Sequence, residues 1–254
     1  MTMRRMQAWV QLFIVEYPEY WIVLLCVFAW VALLGPWKQL REGSCATHGG
    51  IHLGSIASSA PLVWRSWPVL SATGLHWLCM FFAMMVPTIL GGLRLAASRS
   101  LWSRRHLAIS LALIGYTAPW VVFGLTLEFA WALVPPRWSS VLLVASLFLA
   151  AAWQLTWTKR RGLVRCHRDA ILAPSGWRAD WTCLRYGFLL VRGCLQTCWA
   201  LMIACTAAGH ALWVVVLITA VMWAERFLRV PRLQWSAGAL SAAALLVSSG
   251  AMAR

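Results

Sequence analysis

The chain has 254 residues, 61% of them hydrophobic and 11% charged, with a formal net charge of +15. A soluble domain carries about a quarter charged residues, so this composition excludes an ordinary soluble globular domain and points to an all-helical membrane bundle. The 22 Lys and Arg lie between apolar runs, which favours positive-inside topology and contact with anionic lipid head groups over nucleic acid.

In chain order, Arg4 and Arg5 precede Met6, Trp9, Val10, Phe13, Ile14 and Tyr17 at helical spacing, which predicts an amphipathic interfacial helix over residues 1–18. No cleavable signal is evident, and the first span is expected to act as an uncleaved anchor. Residues 19–254 then read as one transmembrane helical bundle. Its seven apolar stretches fall near 20–36, 69–93, 107–134, 138–157, 186–207, 209–225 and 234–250, each near the length that crosses about 30 Å of hydrocarbon. The sixth is the shortest and follows a tight turn at Ala208, Gly209 and His210, so a six-span reading stays open. The N-terminus and the loops around 94–106, 158–185 and 226–232 hold 16 of the Lys and Arg, against five on the opposite side. That bias predicts a cytoplasmic N-terminus, an external loop 37–67 and a basic cytoplasmic loop 158–185.

Two of the spans carry soft metal-ligand residues at helical spacing. His76, Met80 and Met84 recur every four residues in the second span; Cys194, Cys198 and Met202 do so in the fifth, and Cys205 rejoins that row. At 100° per residue each row lies along one helix face. Thiols and thioethers suit Cu(I), which accepts few ligands. The opposite directions of the two spans bring the rows to similar depth, and they meet if the two helices are neighbours. Small apolar filler is the competing explanation for the Cys and Met. In the external loop, Cys45, His48 and His52 form a candidate uptake site, with Gly49-Gly50 allowing the backbone to fold around an ion. Cys166 and His167 form a candidate inner pair within the run Lys159-Arg160-Arg161-Gly162-Leu163-Val164-Arg165-Cys166-His167-Arg168, whose charges are otherwise explained by lipid contact. Glu128, Arg192 and Glu225 are ionisable groups at or near membrane depth, where such groups usually pair; Arg192 with Glu225 is one expected pairing, and Arg192 could also offset thiolate charge at Cys194. No nucleotide-binding or hydrolase motif is present, no catalytic residue is assigned, and an enzyme is not expected.

These residues also carry a family likeness. Trp77-x2-Met80-x2-Ala83-Met84-Met85-x-Pro87, Gln154-Leu155-Thr156-x2-Lys159, Cys194-x3-Cys198-Trp199-Ala200-Leu201-Met202 and Glu225-Arg226 follow one another over roughly residues 70–230. This order resembles a bacterial family of predicted metal-binding integral membrane proteins associated with copper chaperones for polyphenol-oxidase or tyrosinase-type enzymes. The resemblance implies an inner-membrane protein that binds copper and delivers it to a partner copper enzyme. The chain departs from the pattern at Gly162 and at Gln196-Thr197, where the family offers Cys and Gly-Cys, so two thiols are missing. A structural or assembly subunit of a membrane complex, without metal, is the alternative. A metal or small-solute transporter is the third; it predicts a broken helix near Pro87 and Gly91-Gly92.

Overall fold

The computed structural model describes residues 16–35, 67–165, 172–173, 175–227 and 233–249. The predicted interfacial helix up to residue 15, the external loop with Cys45, His48 and His52, and the Cys166-His167 pair lie outside the described residues.

Among the described residues the regular structure is helical throughout. Nine α-helices follow in order: α1 (Tyr20–Leu34), α2 (Trp67–Met84), α3 (Leu90–Ser98), α4 (Arg105–Ala132), α5 (Ser139–Gln154), α6 (Trp157–Arg165), α7 (Trp177–Ala207), α8 (Leu212–Phe227) and α9 (Leu233–Ser248). A short 3-10 turn, Val86–Ile89, joins α2 to α3. Trp102–Trp131 and Trp177–Ala207 are each long and apolar enough to cross a membrane. Gly74–Met84 with Val86–Ser98, bent by 44°, and Ser139–Gln154 with Trp157–Arg165, bent by 69°, are so as broken pairs. Two to four candidate spans result, where the hydropathy pattern predicts about seven. Short helices explain the difference: α1 has 15 residues and α8 and α9 have 16 each, so at 1.5 Å per residue they reach only about 22–24 Å, short of the hydrocarbon thickness.

Helix α7 forms the centre, flanked by α4, α5, α6 and α8, while α1 lies on α2, α3 on α4 and α9 on α5. Glycine makes the α4–α7 approach close. A Cβ on Gly187 would come within 2.1 Å of the Ala112 carbonyl oxygen, and one on Gly115 within 2.3 Å of that of Leu184. Small residues of this kind let helix backbones approach where lipid supplies no hydrophobic drive. Polarity is inverted relative to a soluble bundle. Helix α1 turns Val23, Leu24, Val27, Phe28 and Val31 outward, while Gln154, Lys159 and Glu225 are buried.

Ion pairs bind the two ends of the bundle. At one end Arg94 Nε lies 2.7 Å from Glu19 Oε1, with its guanidinium over the Tyr17 ring, and Arg104 binds Asp180 and the Gly176 carbonyl. At the other end His210 Nε2 lies 3.4 Å from Glu128 Oε1, and the His76 and His210 rings are 5.2 Å apart. The predicted turn after α7 is tight: Gly209 and His210 both adopt φ of 57°, and the His210 amide donates to Cys205 O. That left-handed conformation comes at no steric cost for Gly209.

Candidate metal centre

The site begins where α2 breaks. Pro87 has no amide proton, so the Ala83 carbonyl loses its donor four residues on, and the Thr88 amide turns to Met85 O at 3.1 Å instead of Met84 O. Two indoles on other helices replace these donors. Trp30 Nε1 of α1 donates to Ala83 O at 2.9 Å, and Trp223 Nε1 of α8 donates to Met84 O at 3.2 Å. Arg226 Nε adds a bond to Thr88 O at 3.0 Å. A broken helix inside a bundle persists when neighbours satisfy the freed backbone in this way. The break sets Met85, fully buried, against α7, where its Sδ lies 3.9 Å from Cys194 Sγ.

On α7, Cys194 and Cys198 are one helical turn apart, so they share a face. Tyr116 of α4 donates its hydroxyl to Cys194 Sγ at 3.0 Å. Thr197 Oγ1 lies 3.3 Å from Cys198 Sγ and is anchored on Gly193 O and Cys194 O. Both thiols are buried.

A charged layer adjoins these sulfurs. Helix α6 folds back along α7 so closely that a Cβ on Gly162 would come 2.7 Å from Thr197 Cγ2. Lys159 is thereby fully buried. Its ammonium sits 2.7 Å from Glu225 Oε2 of α8 and is hydrogen-bonded to Gln154 Oε1. The packing of Gly162 on Thr197 sets α6 beside the Cys198 segment of α7. The expected pairing of Arg192 with Glu225 is therefore corrected. Arg192 is exposed on α7, and the carboxylate is taken by Lys159, a residue whose charge the sequence pattern assigns to the lipid surface.

The segment that follows α2 meets α7 through Met85 and Cys194, one residue past the expected row of His76, Met80 and Met84. Met80, Met84 and Met202 are fully buried in the same core, and Cys205 with them. His76 makes a ring contact with His210, which in turn lies against Glu128. Periodicity misses Met85 because the four-residue row assumes an unbroken helix, and Pro87 was the signal that it ends. Tyr116 and Lys159 carry no motif of metal ligation; Lys159 was visible only inside the Gln154-to-Lys159 block.

Two thiols and an adjacent thioether, with low coordination, suit a soft cation. Among the described residues no group of three or more His, Cys, Asp or Glu is placed to hold a metal ion. Neither the curated proteins nor the solved structures contain a match to this chain. The family model described as PpoB2, copper chaperone, matches residues 74–250, well over half of the chain and inclusive of every residue of the sulfur site and its charged layer. The chain belongs to the PpoB2 copper chaperone family.

Proposed function

We propose that this chain is a polytopic protein of the bacterial inner membrane that binds copper as Cu(I) and passes it to a partner copper enzyme. Cys194, Cys198 and Met85 hold the ion. Met80, Met84 and Met202 supply further thioethers along the same core, and His76 serves the end of the bundle nearest His210. On this reading the N-terminus is cytoplasmic, about seven segments cross the membrane, and anionic lipid contacts the basic loops. Cys45, His48 and His52 take up the ion externally, and Cys166 with His167 offers a stop at the inner surface.

Transfer proceeds by ligand exchange. Copper arriving on two donor thiolates bonds to the thiolates of Cys194 and Cys198, and their two protons pass to the departing donor sulfurs. No electron changes hands. Delivery runs the same exchange toward the partner. Tyr116, donating to Cys194 Sγ, steadies that sulfur, and the helix break holds Met85 against it.

The observation that carries this reading is the meeting of Met85 with the Cys194–Cys198 pair at the α2 break. The test is copper content of the detergent-purified chain under reducing conditions, for the wild type and for Cys194→Ser/Cys198→Ser. The wild type is expected to retain copper and the double variant to lose it; equal content in both refutes the site. The 44° bend at Val86–Ile89 also favours a second reading, a metal transporter built on a discontinuous helix. Copper flux into vesicles holding the purified chain alone would select it.

A further inference from the structure

Lys159 and Glu225 do more than neutralise each other. Both are almost wholly buried, on α6 and α8, and α6 packs through Gly162 against Thr197, whose hydroxyl lies 3.3 Å from the Cys198 sulfur. An ion pair at this depth is poor evidence for stability, since apolar residues of similar volume usually do as well. Its cost suggests a use in what happens to charge when the cargo arrives.

The exchange described above changes the charge of the site. With both thiols protonated, the unloaded site and the Lys159–Glu225 pair together sum to zero. Loaded, one copper of charge +1 bound to two thiolates leaves a net charge of −1, imported from the thiolate donor. A bare negative charge is strongly disfavoured in a low-dielectric interior. The buried cation that can answer it is Lys159, with Glu225 and Gln154 as its present partners.

We propose that Lys159 is the counter-ion of the copper–sulfur site, held by Glu225 when the site is unloaded and shared with the anionic copper–dithiolate when it is loaded. Glu225 then keeps the ammonium satisfied after the ion leaves, so release does not strand a buried charge. Gln154, whose side-chain oxygen accepts from the same ammonium, keeps Lys159 in reach of both partners. Lys159 is a positioning residue, acting through charge and not as a ligand. The inference rests on the copper-binding role of Cys194 and Cys198 and specifies how that role tolerates burial.

The test is Cu(I) affinity of the full-length chain in detergent, by competition with a chromogenic Cu(I) chelator. The variants are Lys159→Met, Glu225→Gln and Lys159→Met/Glu225→Gln. Lys159→Met is expected to weaken Cu(I) binding by about tenfold or more. Glu225→Gln leaves the cation without its carboxylate competitor and is expected to bind as tightly as the wild type or tighter. The double variant removes both charges, so its melting temperature should recover relative to either single variant while Cu(I) binding stays weak. A merely structural pair predicts the reverse: both single variants weakened alike, and the double variant restored. Wild-type affinity in the double variant, or weakened binding in Glu225→Gln, overturns the counter-ion role. Failure of the wild type itself to compete for Cu(I) would overturn the proposed function, a different outcome from a wild type that binds with variants that do not differ.

Discussion

The contact between Gly162 and Thr197 sets up a quantitative experiment. A methyl group at position 162 would lie 2.7 Å from Thr197 Cγ2, where ordinary carbon contact is about 3.5–4.0 Å, an overlap of about 1 Å. Thr197 cannot easily swing away, because its hydroxyl is bonded to Gly193 O at 3.1 Å and Cys194 O at 2.9 Å. Overpacking of this kind costs about 1–3 kcal/mol, while replacing a glycine inside helix α6 by alanine returns up to about 1 kcal/mol. Gly162→Ala should therefore destabilise the wild-type background modestly. Thr197→Ser removes Cγ2 and keeps the hydroxyl; the next contacts, Gln196 Cγ at 3.4 Å and Cβ at 3.5 Å, are tolerable. In that background Gly162→Ala should become neutral or stabilising. The coupling between the two sites should then be about 1–3 kcal/mol, measured as a double-mutant cycle by unfolding in detergent. Coupling within about 0.3–0.5 kcal/mol of zero would refute the close approach of α6 to α7 beside Cys198.

Further outcomes follow from the same geometry. Met85→Leu keeps most of the volume and should cost less than about 1.5 kcal/mol of stability, yet weaken Cu(I) binding in the chelator competition; unaltered affinity would remove Met85 from the site. Trp223→Phe takes away the indole donor to Met84 O and should destabilise the fold by about 1–3 kcal/mol, seen as a lowered melting temperature. Thr197→Cys places a third thiol beside the Cys198 sulfur and should tighten Cu(I) binding; an affinity no higher than wild type would contradict that placement.

Much of the helical layout was legible in hydropathy, because apolar runs long enough to matter in lipid are hard to mistake. The first apolar stretch, 20–36, became Tyr20–Leu34, and 107–134 became Arg105–Ala132. Helix α7 begins at Trp177, nine residues before its apolar stretch at 186, since Arg178, Asp180 and Arg185 are polar yet still helical. At 31 residues it is about 46 Å long, so its first turns extend past any hydrocarbon layer. The site was half legible. Cys194 and Cys198 followed from a four-residue period that held along an unbroken helix. Met85 did not, because Pro87 ends the period that pointed to Met80 and Met84. Lys159 did not, because a basic run looks the same whether one of its members faces lipid head groups or turns inward. What buries Lys159 is the fold-back of α6 along α7, made close by Gly162, and that is a tertiary fact with no local period.

The break in α2 has a wider consequence. The place of one sulfur depends on indole and guanidinium groups contributed by α1 and α8, helices that hold no assigned ligand of their own. Loss of Trp30, Trp223 or Arg226 should thus present as a copper-handling defect although none of them touches the ion, and a survey of ligands alone would misfile such variants as ordinary folding mutants.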